Sequence, residues 1–315
     1  MISINELKHR LPQDFMNNIY ETYSPHVVDD ILVGILSKRY TTLRVNTMKY
    51  NIQDLMKYFK ENNIKFERVL WYNDALVIKN VTEKEIQKLD IFKKGYIYLQ
   101  SLSSMIPPLV LNPMENEKIL DLTAAPGSKT TQMSAMMNNK GYILANELDK
   151  IRCERLKFNV ENQGSNIIEV VNGRGERIGE NYSEVFDKVL LDTPCSGEGR
   201  FLASSVQTYR DWSLRKVKDL TKMQKKLFKS AYNALKPNGT MVYSTCTINK
   251  DENEYILDWA LDNLDLKVVD IDLKIKDGMK AFNDDVNNKS INNAIRILPS
   301  KEMEGFFVAK LIKQK

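Results

Sequence analysis

The stretch Ile119-Leu120-Asp121-Leu122-Thr123-Ala124-Ala125-Pro126-Gly127-Ser128-Lys129-Thr130 reads as a short apolar strand, a tight loop of small residues and the start of a helix. In a doubly wound sheet that is where a ligand sits, because small side chains let it approach backbone N–H groups beside a helix N-terminus. The loop matches neither GxGxxG nor GxxxxGK[ST], which disfavours both a dinucleotide and a nucleoside triphosphate. One strand later, Leu144-Ala145-Asn146-Glu147 ends in a carboxylate. A lone acid at a strand end is ordinarily just an exposed acid. After the second strand of such a fold, however, an acid accepts hydrogen bonds from ribose hydroxyls, so loop and acid together imply an adenosine-containing cofactor.

Outward from this loop the chain alternates apolar runs, turns and helical patterns, the grammar of an α/β fold with a mostly parallel sheet. Seven strand candidates result: Lys118 to Leu122, Tyr142 to Ala145, Ile167 to Val171, Lys188 to Leu191, Thr240 to Tyr243, Leu266 to Ile271 and Phe306 to Leu311. Thr130 to Met137, Asp149 to Asn162 and Ser213 to Leu235 read as helices, the last ended by Pro237-Asn238-Gly239. Before Lys118 the texture differs. Residues 13 to 38 look helical; Thr41 to Asn46, Phe66 to Trp71, Ala75 to Lys79 and Tyr96 to Leu99 read as short strands, with a helix over Ile52 to Asn62. Pro107-Pro108 and Asn112-Pro113 are expected to interrupt regular structure. The expected organisation is a small α+β domain over residues 1–110 and an α/β domain over 111–315.

Composition narrows the class. The chain has 315 residues, 43% of them hydrophobic, enough for two cores. Its apolar runs fall short of the roughly 18 residues of a membrane span, and Met1-Ile2-Ser3-Ile4-Asn5-Glu6 is not an export signal, so a cytoplasmic monomer away from membranes is expected. Three cysteines (Cys153, Cys195, Cys246) without a CxxC pair, and only His9 and His26, supply neither a disulfide framework nor a metal site. A net charge of +5, from 46 basic and 41 acidic residues, suits RNA but is ordinary for a soluble protein.

Two cysteines follow predicted strands. Leu190-Leu191-Asp192-Thr193-Pro194-Cys195-Ser196-Gly197-Glu198-Gly199 comes after the fourth strand of the α/β series, and Tyr243-Ser244-Thr245-Cys246-Thr247-Ile248-Asn249-Lys250-Asp251-Glu252-Asn253-Glu254 after the fifth. Strand C-termini line the ligand crevice of an open α/β sheet, so both can face one site. A buried structural cysteine is the usual alternative, and Cys153, inside a predicted helix, fits it.

The segments DLTAAPGSKTTQ, LLDTPCSGEG and YSTCTINKDENE, with Glu304-Gly305-Phe306-Phe307-Val308-Ala309, resemble the RNA cytosine-5 methyltransferases of the RsmB, RsmF and NSUN group. The resemblance continues through Leu43-Arg44-Val45-Asn46-Thr47 and Tyr98 to Met105, covering roughly residues 10 to 313. The AAPGSKTTQ form and Asn146-Glu147 are most like the RsmF branch, which modifies small-subunit ribosomal RNA. The resemblance implies a Rossmann-like class I methyltransferase domain using S-adenosylmethionine. It implies that Cys246 attacks C6 of cytosine, turning C5 into the methyl acceptor, and that Cys195 helps remove the C5 proton and release the enzyme. A soft sulfur nucleophile of this kind splits one hard step into easier ones. Asp192 would meet the N3 and exocyclic amine edge of the base, and Lys129 would steady the cofactor loop and the site's charge. Thr123, Ala124, Ala125, Pro126, Gly127, Ser128 and Lys129 would hold the methionine end of the cofactor and Glu147 its ribose, with Asp192 within cofactor reach. At the adenine edge, where the family usually carries aspartate, stands Asn172, which keeps an acceptor oxygen but loses charge.

The run Arg210 to Lys229 holds eight basic and two acidic residues. Arg215, Lys218, Lys222, Lys225 and Lys229 share one helical face, opposite an apolar stripe of Val217, Leu220, Met223 and Leu227. Such a face either tracks phosphates or is simply a solvated amphipathic surface. Reaching both faces of a cytosine ring requires an unstacked nucleotide. Ribosomal RNA is the expected partner, with transfer RNA as the variant; a non-catalytic RNA-binding assembly factor is disfavoured by the presence of both cysteines and the small-residue loop.

Overall fold

The computed structural model describes residues 2–275, 278–281 and 286–314; Met1 and Lys315, the outer limits of the two expected domains, lie outside them. Three helices open the chain: Ile4–Arg10, Gln13–Thr22 and Pro25–Leu36. The first, which sequence periodicity misses, is seven residues long, buries only Leu7, and is set by a capping box between Ser3 and Glu6. The expected continuous helical stretch over 13 to 38 divides at Tyr23-Ser24, because Pro25 takes the first position of a new helix, where its missing N–H costs nothing.

A small antiparallel sheet follows, formed by β1 (Thr41–Val45), β2 (Phe66–Arg68), β3 (Ala75–Ile78) and β4 (Ile97–Leu99) in the order β2-β3-β1-β4. The helix Ile52–Glu61 presses Leu55 and Phe59 into its core beside Leu43, Leu76 and Ile97. Contrary to expectation, Pro107 and Pro108 do not interrupt structure but lie inside a helix, Leu102–Leu111. Proline at 108 leaves the Ser104 carbonyl without its usual N–H partner, and the side chain of Gln100 donates to it instead at 3.1 Å. The helix ends at Asn112, whose φ of 49° is left-handed.

The large sheet contains β5 (Lys118–Asp121), β6 (Tyr142–Glu147), β7 (Ile168–Asn172), β8 (Phe186–Asp192), β9 (Leu235–Thr245), β10 (Leu266–Val269), β11 (Gly278–Lys280), β12 (Ile295–Ile297) and β13 (Phe306–Lys313). Its order is β11-β12-β13-β9-β8-β5-β6-β7. Strands β5 to β9 run parallel and β13 is antiparallel to β9. All seven expected strands are present. Two more, β11 and β12, escape the sequence reading because three residues are too few to show a period. Strands β10 and β12 lie end to end along the outer edge of β13, pairing with Val269↔Lys310 and Ile295↔Val308 at their inner ends.

The sheet is covered on both faces, so its strands are apolar throughout while alternate residues enter different cores. Val189, Leu191, Met241 and Tyr243 pack with Leu227 and Phe228 of the helix Leu214–Ala234. Leu190 and Val242 face Met105 and Met133 instead. The three opening helices do not stand apart from this α/β unit: Phe15 and Ile31 share a core with Phe201, Trp212 and Ile248. Because β5 sits between β6 and β8, the chain winds one way through β5-β6-β7 and restarts on the other side at β8. That reversal opens a crevice at the C-terminal ends of β5 and β8.

Candidate active site

Strands β8 and β9 are parallel with Asp192 in register with Ser244, which brings the loops following them to the same end of the sheet. Cys195 and Cys246 meet there, their Sγ atoms 3.1 Å apart. The carbonyl of Cys246 accepts from the N–H of Gly199 at 3.0 Å, tying the second loop to the first. The hydrogen bond between the thiols pushes Cys246 below the ordinary thiol range, against the effect of burial and with help from the Arg200 guanidinium. The same bond pushes Cys195 well up, reinforced by burial. The two thiols are thus pushed in opposite directions, Cys246 toward the thiolate and Cys195 toward the thiol. Cys153 is elsewhere, buried in the helix Lys150–Gln163.

Beneath the pair lie buried carboxyls that shape the loops. Glu198 accepts from Trp212 Nε1 at 3.1 Å and Asn249 Nδ2 at 2.8 Å, and burial pushes it up to about 8. Glu252 accepts from the N–H of Ser196 at 2.9 Å and from Gln224 at 3.0 Å. Both loops thus close on polar groups that need partners, which fixes their course.

On the other side of the cysteines, the Lys129 ammonium donates to Asp192 Oδ2 at 2.6 Å. Ser244 donates to Asp192 Oδ1 at 2.8 Å, and the Thr123 hydroxyl to the Asp192 carbonyl at 2.8 Å. Lys129 lies in the first turn of the helix Ser128–Met136, so this ion pair bridges the small-residue loop and the Pro-Cys loop. Asp121, at the end of β5, accepts from Thr130 at 2.7 Å and is pushed up to about 7 by burial. Gly127 has φ +103°, which favours glycine, and a Cβ there would meet Leu156 Cδ1 at 2.8 Å.

The expected ribose ligand, Glu147, ends β6 with its side chain 5% exposed. Its Oε1 accepts from the N–H of Asp149 at 2.9 Å, and Arg152 approaches its Oε2 to 3.5 Å. Asn172 ends β7, and its amide donates to the carbonyls of Glu147 and Leu148 at 2.8 and 2.9 Å. One continuous cavity of about 1700 Å³ runs along Thr123, Ser128, Lys129 and Glu147 to Asp192 and on to both cysteines. Ala125 and Pro126 line it as well; Ala124, Gly127 and Asn172 do not, and Gly175 and Glu176 form the wall near Asn172. Small-molecule sites usually measure roughly 300–1,000 Å³, so this one has room for a cofactor and a base together.

Sequence reasoning misses four residues at the cysteine end. Ser244 is one, though its place in register with Asp192 follows once β8 and β9 pair. Arg200 lines the cavity, as does Glu304, whose Oε2 accepts from Ser101 at 3.2 Å. Arg39 reaches in from the segment before β1, its Nη2 2.9 Å from the Gly199 carbonyl. No local signal marks Arg39, which lies 160 positions from its partner. On the predicted basic helix, Arg215, Lys218, Lys222 and Lys229 are exposed, while Lys225 lies over the Trp259 ring at 5.3 Å. Among the described residues, no group of three or more His, Cys, Asp or Glu side chains is gathered as a metal site, and no helix is long and apolar enough to cross a membrane.

A parallel sheet reversed at β5/β8, a small-residue loop with a following acid, and two sulfurs in contact at neighbouring strand ends define a Rossmann-like methyltransferase fold carrying a dithiol site. The chain belongs to the 16S rRNA methyltransferase RsmB/F family, whose model matches residues 108–312. It is 34% identical over 308 residues to the ribosomal RNA small subunit methyltransferase F of Shewanella sp. (strain ANA-3), covering 96% of this chain and 63% of that protein. It is 37% identical over 276 residues to the tRNA (cytosine(49)-C(5))-methyltransferase of Pyrococcus abyssi (strain GE5 / Orsay), covering 86% of this chain and 88% of that one. The solved structure of a methyltransferase homolog protein from Pyrococcus horikoshii superimposes with a TM-score of 0.80 at 30% identity, covering 96% of this chain and all of that one. The chain thus spans just under two thirds of the length of the Shewanella relative.

Proposed function

We propose that this protein transfers a methyl group from S-adenosylmethionine to C5 of cytosine in RNA, through a covalent bond between Cys246 and C6 of the base. The observation that carries the reading is the 3.1 Å contact between Cys246 and Cys195 at the end of a cavity that begins at the small-residue loop. The residues present suit the cofactor: a strand-loop-helix cradle in which Gly127 leaves no room for a Cβ, and a buried carboxylate, Glu147, one strand away. Thr123 to Lys129 would hold its methionine end, Glu147 its ribose and Asn172 its adenine edge, with Gly175 and Glu176 lining the cavity beyond Asn172 in the chain. When bound, the cofactor supplies an electrophilic methyl group.

The chain's own residues do the rest. The Cys246 thiolate adds to C6, forming the Sγ–C6 bond and moving the C5=C6 electrons to C5; C5 takes the methyl group as the methyl's bond to the cofactor sulfur breaks, which would leave S-adenosylhomocysteine. Asp192, held by Lys129 and Ser244, meets the N3 and amine edge of the ring, and Lys129 balances charge during the addition. Loss of the C5 proton restores the double bond and expels Cys246 as thiolate. Once Cys246 is tied up in the adduct, Cys195 gives up its proton to solvent, takes the C5 proton as thiolate, and as the resulting thiol donates a hydrogen bond to the departing Cys246 thiolate.

Small-subunit ribosomal RNA is the proposed substrate, on the strength of the family and of the Shewanella relative. The Pyrococcus abyssi relative, of which this chain covers 88%, favours transfer RNA as the second reading. The four-stranded sheet, residues 41–99, is the proposed guide for RNA, together with the exposed cations of the helix Leu214–Ala234. The proposed working unit is a cytoplasmic monomer. Mapping 5-methylcytosine across total RNA with and without the protein tests the reading: one or more cytosines losing their mark supports it, and an unchanged map contradicts it.

A further inference from the structure

Three loops distant in sequence meet beside the nucleophile at backbone contact. The N–H of Gly199 donates to the carbonyl of Cys246 at 3.0 Å, and its own carbonyl accepts from the N–H of Gly305 at 2.9 Å. A Cβ on Gly199 would sit 1.8 Å from the Gly305 oxygen, and one on Gly305 would sit 2.7 Å from Gly199 Cα, so each glycine is required by the other. The second lone pair of the Gly199 carbonyl is taken by Arg39 Nη2 at 2.9 Å. The same nitrogen approaches the Phe201 carbonyl at 3.4 Å, and Nη1 approaches Glu304 Oε1 at 3.9 Å. Arg39 therefore grips the Pro-Cys loop on both sides of Arg200 and touches the loop that carries Gly305.

The grip is not one that stability alone favours. The Arg39 side chain is 13% exposed, its Nε is buried without a partner among the described residues, and burial pushes the guanidinium below its ordinary value. A buried cation whose partners are mostly neutral carbonyls is costly to keep. The arrangement does hold Gly199, and through it the backbone of Cys246, at a fixed height relative to Cys195. A 3.1 Å sulfur contact is sensitive to small displacements, since hydrogen bonds weaken steeply with distance and angle.

We infer that Arg39 is a positioning residue for the catalytic dithiol: by clamping the Gly199 carbonyl it sets the Cys195–Cys246 contact, making the segment before β1 part of the reaction centre. The inference rests on the dithiol reading proposed above. Cys246 faces Cys195, Arg200, Asp192 and Glu304, and an Arg39→Met substitution leaves all of these in the chain while removing the clamp.

The test pairs two readings on Arg39→Met and Arg39→Lys. One is the pH dependence of Cys246 alkylation by iodoacetamide, followed by peptide mass spectrometry. The other is methyl transfer to in vitro transcribed small-subunit ribosomal RNA and transfer RNA. Arg39→Met is expected to move the alkylation midpoint to higher pH and to lower kcat by about tenfold or more, leaving KM for RNA within about twofold. Arg39→Lys, which keeps the charge but not the planar fork, should fall between Met and wild type. An alkylation profile that neither variant shifts overturns the inference, as does a raised KM with unchanged kcat, which would make Arg39 an RNA contact. If Arg39→Met does not fold, Arg39→Lys alone decides by its alkylation profile. Failure of the wild-type protein to methylate either RNA would instead count against the proposed function, and the alkylation profiles would still decide the role of Arg39.

Discussion

The Lys129 ammonium and the Asp192 carboxylate stand 2.6 Å apart in the wall of the crevice, one from the helix after β5 and the other from the end of β8. The pair spans the point where the sheet reverses direction, and it joins the cofactor side of the cavity to the dithiol side. Lys129→Met would leave Asp192 with only the Ser244 hydroxyl, and a side chain 26% exposed would carry an unbalanced charge beside the thiols. Methyl transfer by Lys129→Met or Asp192→Asn is expected to fall by about 10²–10³-fold in single-turnover assays, with the fold intact by circular dichroism.

The opposed shifts of the two thiols make a separate prediction. Cys246 lies below the ordinary thiol range and Cys195 above it, so at neutral pH iodoacetamide should label Cys246 first. Lowering the pH through the Cys246 value protonates the thiolate and slows labelling. Cys195→Ala removes the hydrogen bond that stabilises the thiolate, so the labelling midpoint of Cys246 should move to higher pH; labelling rates followed across pH by peptide mass spectrometry check both statements.

Stability should respond to pH through Glu198. Its folded value, about 8, is raised by burial above that of the unfolded chain, so between those two values the native state binds more protons than the unfolded one. Stability therefore falls as pH rises through that window and is recovered as pH falls below it, the reverse of a salt-bridged acid. Glu198→Gln, which keeps the shape without titrating, should lessen the decline in urea midpoint between about pH 5 and 8, leaving the part that Asp121, raised to about 7, contributes.

At the cofactor end, Glu147→Ala should weaken S-adenosylmethionine binding by about 10–100-fold in titration calorimetry, the loss of charged hydrogen bonds. Restoring the family's usual acid with Asn172→Asp should not tighten it. The Asn172 amide donates to the carbonyls of Glu147 and Leu148, and a carboxylate there would face two acceptors with no donor. The expected outcome is equal or weaker binding and a loss of about 1 kcal/mol of stability.

What could be read without coordinates follows from how local each signal is. The loop Thr123 to Lys129 announces itself because its chemistry lies in one continuous stretch between a strand and a helix. Cys195 and Cys246 were legible as strand-end residues, but their contact depends on the β8–β9 register, which no single stretch encodes. The helix through Pro107-Pro108 was illegible for a similar reason: the side chain that compensates the prolines, Gln100, is recognised only once its amide is seen on the Ser104 carbonyl. Arg39 and the facing glycines Gly199 and Gly305 belong to meetings of distant segments. Strands β11 and β12 carry too few residues for a pattern.

The central claim, that Cys246 attacks the base and Cys195 releases it, is tested most directly by capturing the covalent intermediate. Wild type, Cys246→Ala and Cys195→Ala would each be incubated with S-adenosylmethionine and either ordinary or 5-azacytosine-substituted substrate RNA, then resolved on denaturing gels. The account predicts that wild type forms a stable adduct only with the azacytosine RNA. Cys246→Ala should form none and lose about 10³-fold or more of its activity, and Cys195→Ala should accumulate an adduct on ordinary RNA. Full activity in Cys246→Ala, or adducts that persist without its sulfur, would contradict the account.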